Sequence, residues 1–287
     1  MAQSVSHQTH TTKVPWHAQA SFSITTAAYV VSQLATTVPL LFALLFTNWD
    51  YIQTTLLNQP WMNFVLTGVS ALGLGMVIYL FTKYKKYRLV HFKLQRPPLK
   101  ILWLVAGTYI VYLLASIVVT AVVQVMFPGF NAEQEQLVGY DNAEGWQLAL
   151  AFIGLVIIPP FAEEFVFRGF LYQGLRDNWH KQTVVVWGLA IAVFVGAVAG
   201  WVAGVVVALG MLIAVIIGRK RPMYAAAIVT SVLFGLVHMQ WNVAIDTFLL
   251  SFALIYVFEK TNNLWAAIAL HALKNGIAFI GIFILMQ

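Results

Sequence analysis

The chain has 287 residues, 61% of them apolar and 9% charged, against roughly 45–50% apolar and 25% charged in a soluble domain. With a mean hydropathy of +0.81, that balance excludes a water-soluble globular protein. Sixteen Lys and Arg outnumber ten Asp and Glu, but they sit in short clusters between long apolar runs, which indicates membrane topology and not nucleic-acid binding. There is no cysteine, so catalytic groups must come from Glu, His, Asn, Ser or Tyr.

Taken in chain order, residues 1–23 form a polar tail rich in Ser, Thr, His and Gln, with Lys13 and no cleavage site behind an apolar stretch. It is expected to be a cytoplasmic tail and not a secretory signal. Apolar runs follow at 24–47, 62–82 and 101–127, the N-terminal helices, and at 146–175. Each is long enough for a ~30 Å hydrocarbon core, which takes about 20 helical residues. Lys83, Lys85, Lys86, Arg88, Lys93, Arg96 and Lys100 lie between the second and third runs, whereas 128–145 has no Lys or Arg and carries Glu133, Glu135, Asp141 and Glu144. The basic loop is therefore expected inside and the acidic loop outside.

Residues 183–217 are a nearly unbroken apolar stretch of 35, which as one helix would reach about 52 Å and overshoot the bilayer. Two short spans turning near Gly200 fit better, with Lys181 and Arg219, Lys220 and Arg221 on the cytoplasmic side. The remaining runs are 223–240, 245–259 and 264–286. The expected fold is all-α: a polytopic transmembrane helical bundle of about 8–9 spans, in a multi-pass cell-membrane protein with its N-terminus inside. Its first partner is the lipid bilayer, and no nucleic-acid partner is expected.

A charged side chain near the bilayer centre costs ~2.5–3.5 kcal/mol on insertion scales, so intramembrane ionisable residues are functional candidates. They fall in three places. Pro159-Pro160 interrupts the fourth span just before Glu163-Glu164-Phe165-Val166-Phe167-Arg168; Phe234 and His238 end the seventh; His271, Lys274 and Asn275 lie in the ninth. Glu164 and Arg168 are four apart on one helical face and read as a buried structural pair, leaving Glu163, rotated about 100°, as the unpaired carboxylate. Phe234 and His238, and likewise His271 and Asn275, share a face. Lys274 reads as snorkelling or pairing locally, Asp246 as solvated near a membrane boundary, and Trp61, Trp146 and Trp265 as interfacial anchors.

The order Glu163-Glu164-x-x-x-Arg168, Phe234-x-x-x-His238, His271-x-x-x-Asn275, with Lys260-Thr261-Asn262-Asn263-Leu264-Trp265 before the last, resembles the three motifs of the CPBP family. That family comprises the CAAX proteases and the bacteriocin-processing or bacteriocin-immunity membrane proteins, also called Abi. The resemblance covers about 146–280 and implies a CPBP-like core over 146–287, with 183–217 as an inserted hairpin. It further implies an intramembrane endopeptidase acting on a membrane-associated, prenylated or peptide substrate. Glu163 and His238 would activate a water, and His271 and Asn275 would help hold the oxyanion, supported by Glu164, Arg168 and Phe234.

A glutamate base needs no cofactor, since a desolvated carboxylate is a competent base when water reaches it. A metal reading would make Glu163, His238 and His271 ligands of one zinc. Two non-proteolytic readings stand beside these: a bacteriocin-immunity or regulatory protein binding a peptide in the same cavity, and a proton-coupled transporter using Glu163 as its relay.

Overall fold

A computed structural model describes residues 13–131, 144–238 and 240–285. Residues 1–12 and the acidic-loop carboxylates Glu133, Glu135 and Asp141 lie outside the described residues. Among those described there are nine principal helices and no strand: α1 Ala18–Leu44, α2 Pro60–Tyr84, α3 Ile101–Met126, α4 Trp146–Asp177, α5 Lys181–Ala199, α6 Trp201–Gly218, α7 Pro222–Leu236, α8 Trp241–Thr261 and α9 Leu264–Phe283. Eight are long and apolar enough to cross a membrane, and α7 is a shorter apolar helix. Large apolar side chains such as Leu34, Phe42, Trp103, Val193 and Phe194 stand outward from these helices, as they do where lipid and not water is the solvent.

The 183–217 stretch folds as a helical hairpin, α5 and α6, and Gly200 at its tip adopts φ 95°. Only a residue without Cβ takes that conformation at no cost. The two helices approach closely at small residues: a Cβ on Gly204 would lie 2.6 Å from the Ala192 carbonyl oxygen and 2.9 Å from Gly196 Cα. Small residues let backbones meet where burial of apolar surface supplies no drive between helices.

The motif-bearing helices α4, α7 and α9 form the interior. α1 packs on α2 and α2 on the middle of α4, while α3 packs on α8 and α9. The Asn262-Asn263 pair sets the entrance to α9 by two different devices. Asn262 closes α8 in the left-handed region at φ 49°, which Asn tolerates better than most residues. Asn263 caps α9, its side-chain oxygen accepting from Trp265 N at 2.9 Å while its amide donates to the Gln95 carbonyl at 2.9 Å. A cap of this kind typically contributes ~1 kcal/mol.

The polar segment expected to be tail up to residue 23 is, from Lys13 on, part of the bundle: α1 starts at Ala18, and Val14 and Trp16 are buried. Trp16 stacks on Phe170 and Phe92, with ring centroids 4.9 and 5.5 Å away, and its indole N–H donates to the Phe170 carbonyl at 3.0 Å. It lies directly over Gly174, where a Cβ would come within 2.6 Å of the indole. Hydropathy averaging hides a single apolar residue in a polar stretch, so this anchor was not legible as one.

Candidate active site

The site begins with a local fault in α4. Pro159 and Pro160 carry no N–H, so the Leu155 carbonyl has neither its α-type (i+4) nor its π-type (i+5) donor. Around this break the helix widens to π geometry at Ile153–Ile157 and again at Phe165–Tyr172, with the two glutamates on the α-helical turn between. Such π segments often accompany functional sites. The orphaned Leu155 carbonyl accepts from Asn275 Nδ2 at 3.0 Å, so the third motif is tied to the break that precedes the first.

Glu164 and Arg168 form the expected pair, 2.8 Å between Oε1 and Nη1, with both side chains wholly enclosed. Arg168 also donates from Nη2 to Ser251 Oγ at 2.7 Å and lies 4.3 Å from the centroid of the Phe234 ring. The same Glu164 oxygen faces His271 Nδ1 at 3.0 Å. A carboxylate only accepts, so Nδ1 is the protonated nitrogen in that bond, and in the neutral ring Nε2 is an acceptor. Glu164 is therefore more than the partner of Arg168: it fixes the tautomer and orientation of an imidazole 107 residues further along the chain.

His271 Nε2 looks toward Glu163, 4.0 Å from Oε2. Glu163 keeps 21% of its side chain exposed, and its Oε2 is buried with no hydrogen-bond partner. His238 follows α7, where the chain tightens so that its backbone N bonds Gly235 O at 3.2 Å. This frees the Phe234 carbonyl, which accepts from His238 Nδ1 at 2.8 Å. By the same argument, Nε2 of His238 is an acceptor in the neutral ring. Both imidazoles pack edge-on against the Phe234 ring, at 5.2 and 5.7 Å between centroids. Phe234 thus seats both histidines and Arg168, and Phe167 in turn packs edge-on against it at 4.9 Å.

Glu163, Glu164, Arg168, Phe234, His238, His271 and Asn275 accordingly converge from α4, α7 and α9. Lys274 pairs with Asp246 at 3.5 Å. Asp246 is not the solvated boundary residue expected: its side chain is 15% exposed, and its Oδ1 accepts from Tyr112 at 2.6 Å and Ser116 at 2.7 Å. Ser251, Leu155 and this Asp246 cluster had no signal in the sequence beyond polarity or a proline pair one turn further along the same helix.

The donors expected for zinc are of a suitable kind, but among the described residues no three His, Asp or Glu side chains are gathered to hold one ion. Tetrahedral ligation at ~2.0–2.1 Å would draw the two facing donor atoms to about 3.4 Å, nearer than the 4.0 Å between Glu163 and His271. The arrangement does not fit the metal as it stands.

Fold and site together define a multi-pass membrane protein whose ionisable groups are gathered inside a helical bundle. Residues 145–225 and 209–277 match the sequence model of the family described as type II CAAX prenyl endopeptidase, Rce1-like, so this C-terminal region is similar to the CAAX proteases. The two matched stretches overlap at 209–225, within α6 and the start of α7. Comparisons with curated proteins and with solved structures found no match.

Proposed function

We propose that this CAAX-type intramembrane endopeptidase hydrolyses a peptide bond of a membrane-associated substrate with Glu163 as general base. The observation that carries the reading is the pair of facing acceptors, Glu163 Oε2 and His271 Nε2, 4.0 Å apart. One water, ~2.8 Å from each, directs its two O–H bonds at them. Glu163 takes one proton as the water oxygen bonds to the scissile carbonyl carbon, and the second hydrogen stays on that oxygen, hydrogen-bonded to His271 Nε2. The carbonyl oxygen becomes an oxyanion, met by the Asn275 amide hydrogen that Leu155 leaves unused. As the carbon–nitrogen bond breaks, the Glu163 carboxyl returns its proton to the departing amine, giving a carboxylic acid and an amine, and the acid's remaining proton then passes to the amine, giving a carboxylate and an ammonium. His238 Nε2, an acceptor held by Phe234, steadies the water or the leaving amine.

Glu163→Gln keeps volume and most hydrogen bonding but removes the base, so cleavage of a reporter peptide fused to a membrane span is expected to fall ~10²–10⁴-fold with folded yield retained. Normal cleavage by this variant overturns the reading and returns the protein to a peptide-binding or regulatory role. Activity is also expected to survive strong chelation in protein shown metal-free by elemental analysis. A chelator-dependent loss restored by zinc would favour the metal reading.

The orientation we propose puts the N-terminus and both ends of the α5–α6 hairpin in the cytoplasm. Single cysteines introduced at 182 and 220 should then label from that side alone.

A further inference from the structure

A second polar cluster lies beside the site and is not part of it. A cavity of about 290 Å³ between α3, α8 and α9 is lined by Tyr112, Ser116, Thr120, Asn242, Asp246 and Lys274, together with Tyr109 and apolar neighbours. None of Glu163, His238 or His271 lines it. Asp246 is firmly held, with two hydroxyls on Oδ1, whereas Lys274 makes a longer contact, 3.5 Å to Oδ2. Its ammonium rides on a flexible four-carbon stem, so among the described residues this anion decides where the charge rests.

Lys274 also belongs to the third motif, three residues after His271 and directly before Asn275. Its charge is among those that bear on His238, together with Glu163 and His271. On the site side stands Glu163, whose Oε2 is buried without a partner. A carboxylate oxygen without a hydrogen bond and an ammonium on a flexible stem attract within one low-dielectric bundle. Their union would neutralise the base and fill the place of the water.

We propose that Asp246 is a positioning residue for the reaction: it holds the Lys274 ammonium in the α3–α8–α9 cavity and so keeps it off Glu163. Tyr112 and Ser116 fix Asp246 where it can do this. The inference rests on the reading of Glu163 as the base. It assigns Lys274 no part in the chemistry and makes it a charge that must be kept away.

The cysteine-free chain allows the charge to be added after folding. Lys274→Cys would be made with Asp246 intact and again with Asp246→Asn. Both proteins fold without an unpaired ammonium at 274. Each is then treated with 2-aminoethyl methanethiosulfonate, which attaches a cationic side chain through a mixed disulfide that dithiothreitol removes. With Asp246 present, the modified enzyme is expected to keep its activity within about threefold. With Asp246→Asn, modification should lower kcat roughly tenfold or more at little change in KM, because the base and not binding is lost. Dithiothreitol should restore it.

Equal loss in both backgrounds, or no loss in either, overturns the proposal. A large loss for both unmodified Lys274→Cys proteins does so too, since Lys274 would then act directly. Glu163→Gln, assayed alongside, separates the two readings: if it cleaves normally the base assignment fails, whereas if it is inactive and the modification has no effect, only the role of Asp246 fails.

Discussion

Two of the ion pairs among the spanning helices, Glu164–Arg168 and Asp246–Lys274, are built on different terms. Glu164–Arg168 is wholly enclosed, four residues apart on one helix, and bonded from other helices by Ser251 and His271 with Phe234 across the guanidinium. Asp246–Lys274 joins two helices at 3.5 Å beside a cavity, its side chains 15% and 17% exposed. In a low dielectric, removing one partner of an enclosed pair strands a charge with nothing to solvate it, while a pair that borders a polar cavity keeps water within reach. The first pair therefore fixes geometry, and the second only governs where one charge rests.

The sharpest way to break that contrast is Glu164→Gln. It strands Arg168 and deprives His271 Nδ1 of its charged acceptor, so a loss of ~3–5 kcal/mol is expected, read as lower folded yield and melting temperature. Exchanging the charges, Glu164→Arg with Arg168→Glu, rebuilds an ion pair but turns a donor toward the protonated His271 Nδ1. Stability is expected to return in part and activity to stay low. Full recovery of activity by the exchange would mean that His271 takes nothing from Glu164.

A smaller effect is expected where the link is a single neutral hydrogen bond. Asn275→Ala removes the donor from the Leu155 carbonyl, which Pro159 and Pro160 have already deprived of backbone partners. Leaving a buried acceptor unmet costs about 1–3 kcal/mol, measurable as a fall in melting temperature. Cleavage per folded molecule should fall further than the fraction folded does, because the same amide is proposed to meet the oxyanion. If the two fall together, Asn275 is an anchor of α9 and nothing more.

What was legible in the sequence follows the same division. Local spacing gave the Glu164–Arg168 pair, the Phe234–His238 contact and the turn at Gly200, because each depends on neighbours within a turn or two of helix or on one glycine. The three motifs were recognised in order, and the structure brings their residues together. Hydropathy placed the spans but not the burial of Trp16, which is anchored by Phe170, 154 residues away. The His271–Glu164 and Asn275–Leu155 bonds, across 107 and 120 residues, depend on how α4 and α9 are rotated. The π segments and the proline break set that rotation, and no hydropathy period carries it. Asp246 was read as solvated for the same reason: its partners Tyr112 and Ser116 are on a helix more than a hundred residues earlier.

The smallest effect is expected at the second pair, and it tests whether that pair is as loosely framed as its geometry indicates. Tyr112→Phe removes one of the two hydroxyls that donate to Asp246 Oδ1 and leaves Ser116 in place. With a polar cavity alongside, water can take over the lost bond, so the cost should be at the low end of an ordinary hydrogen bond, about 0.5–1.5 kcal/mol. Cleavage should stay within about twofold of the parent, since Asp246 still holds Lys274 and no transition-state contact is removed. A destabilisation on the scale of Glu164→Gln would mean that water does not reach the cavity and that the two pairs are framed alike. The distinction between a pair that fixes geometry and one that stations a charge would then fall.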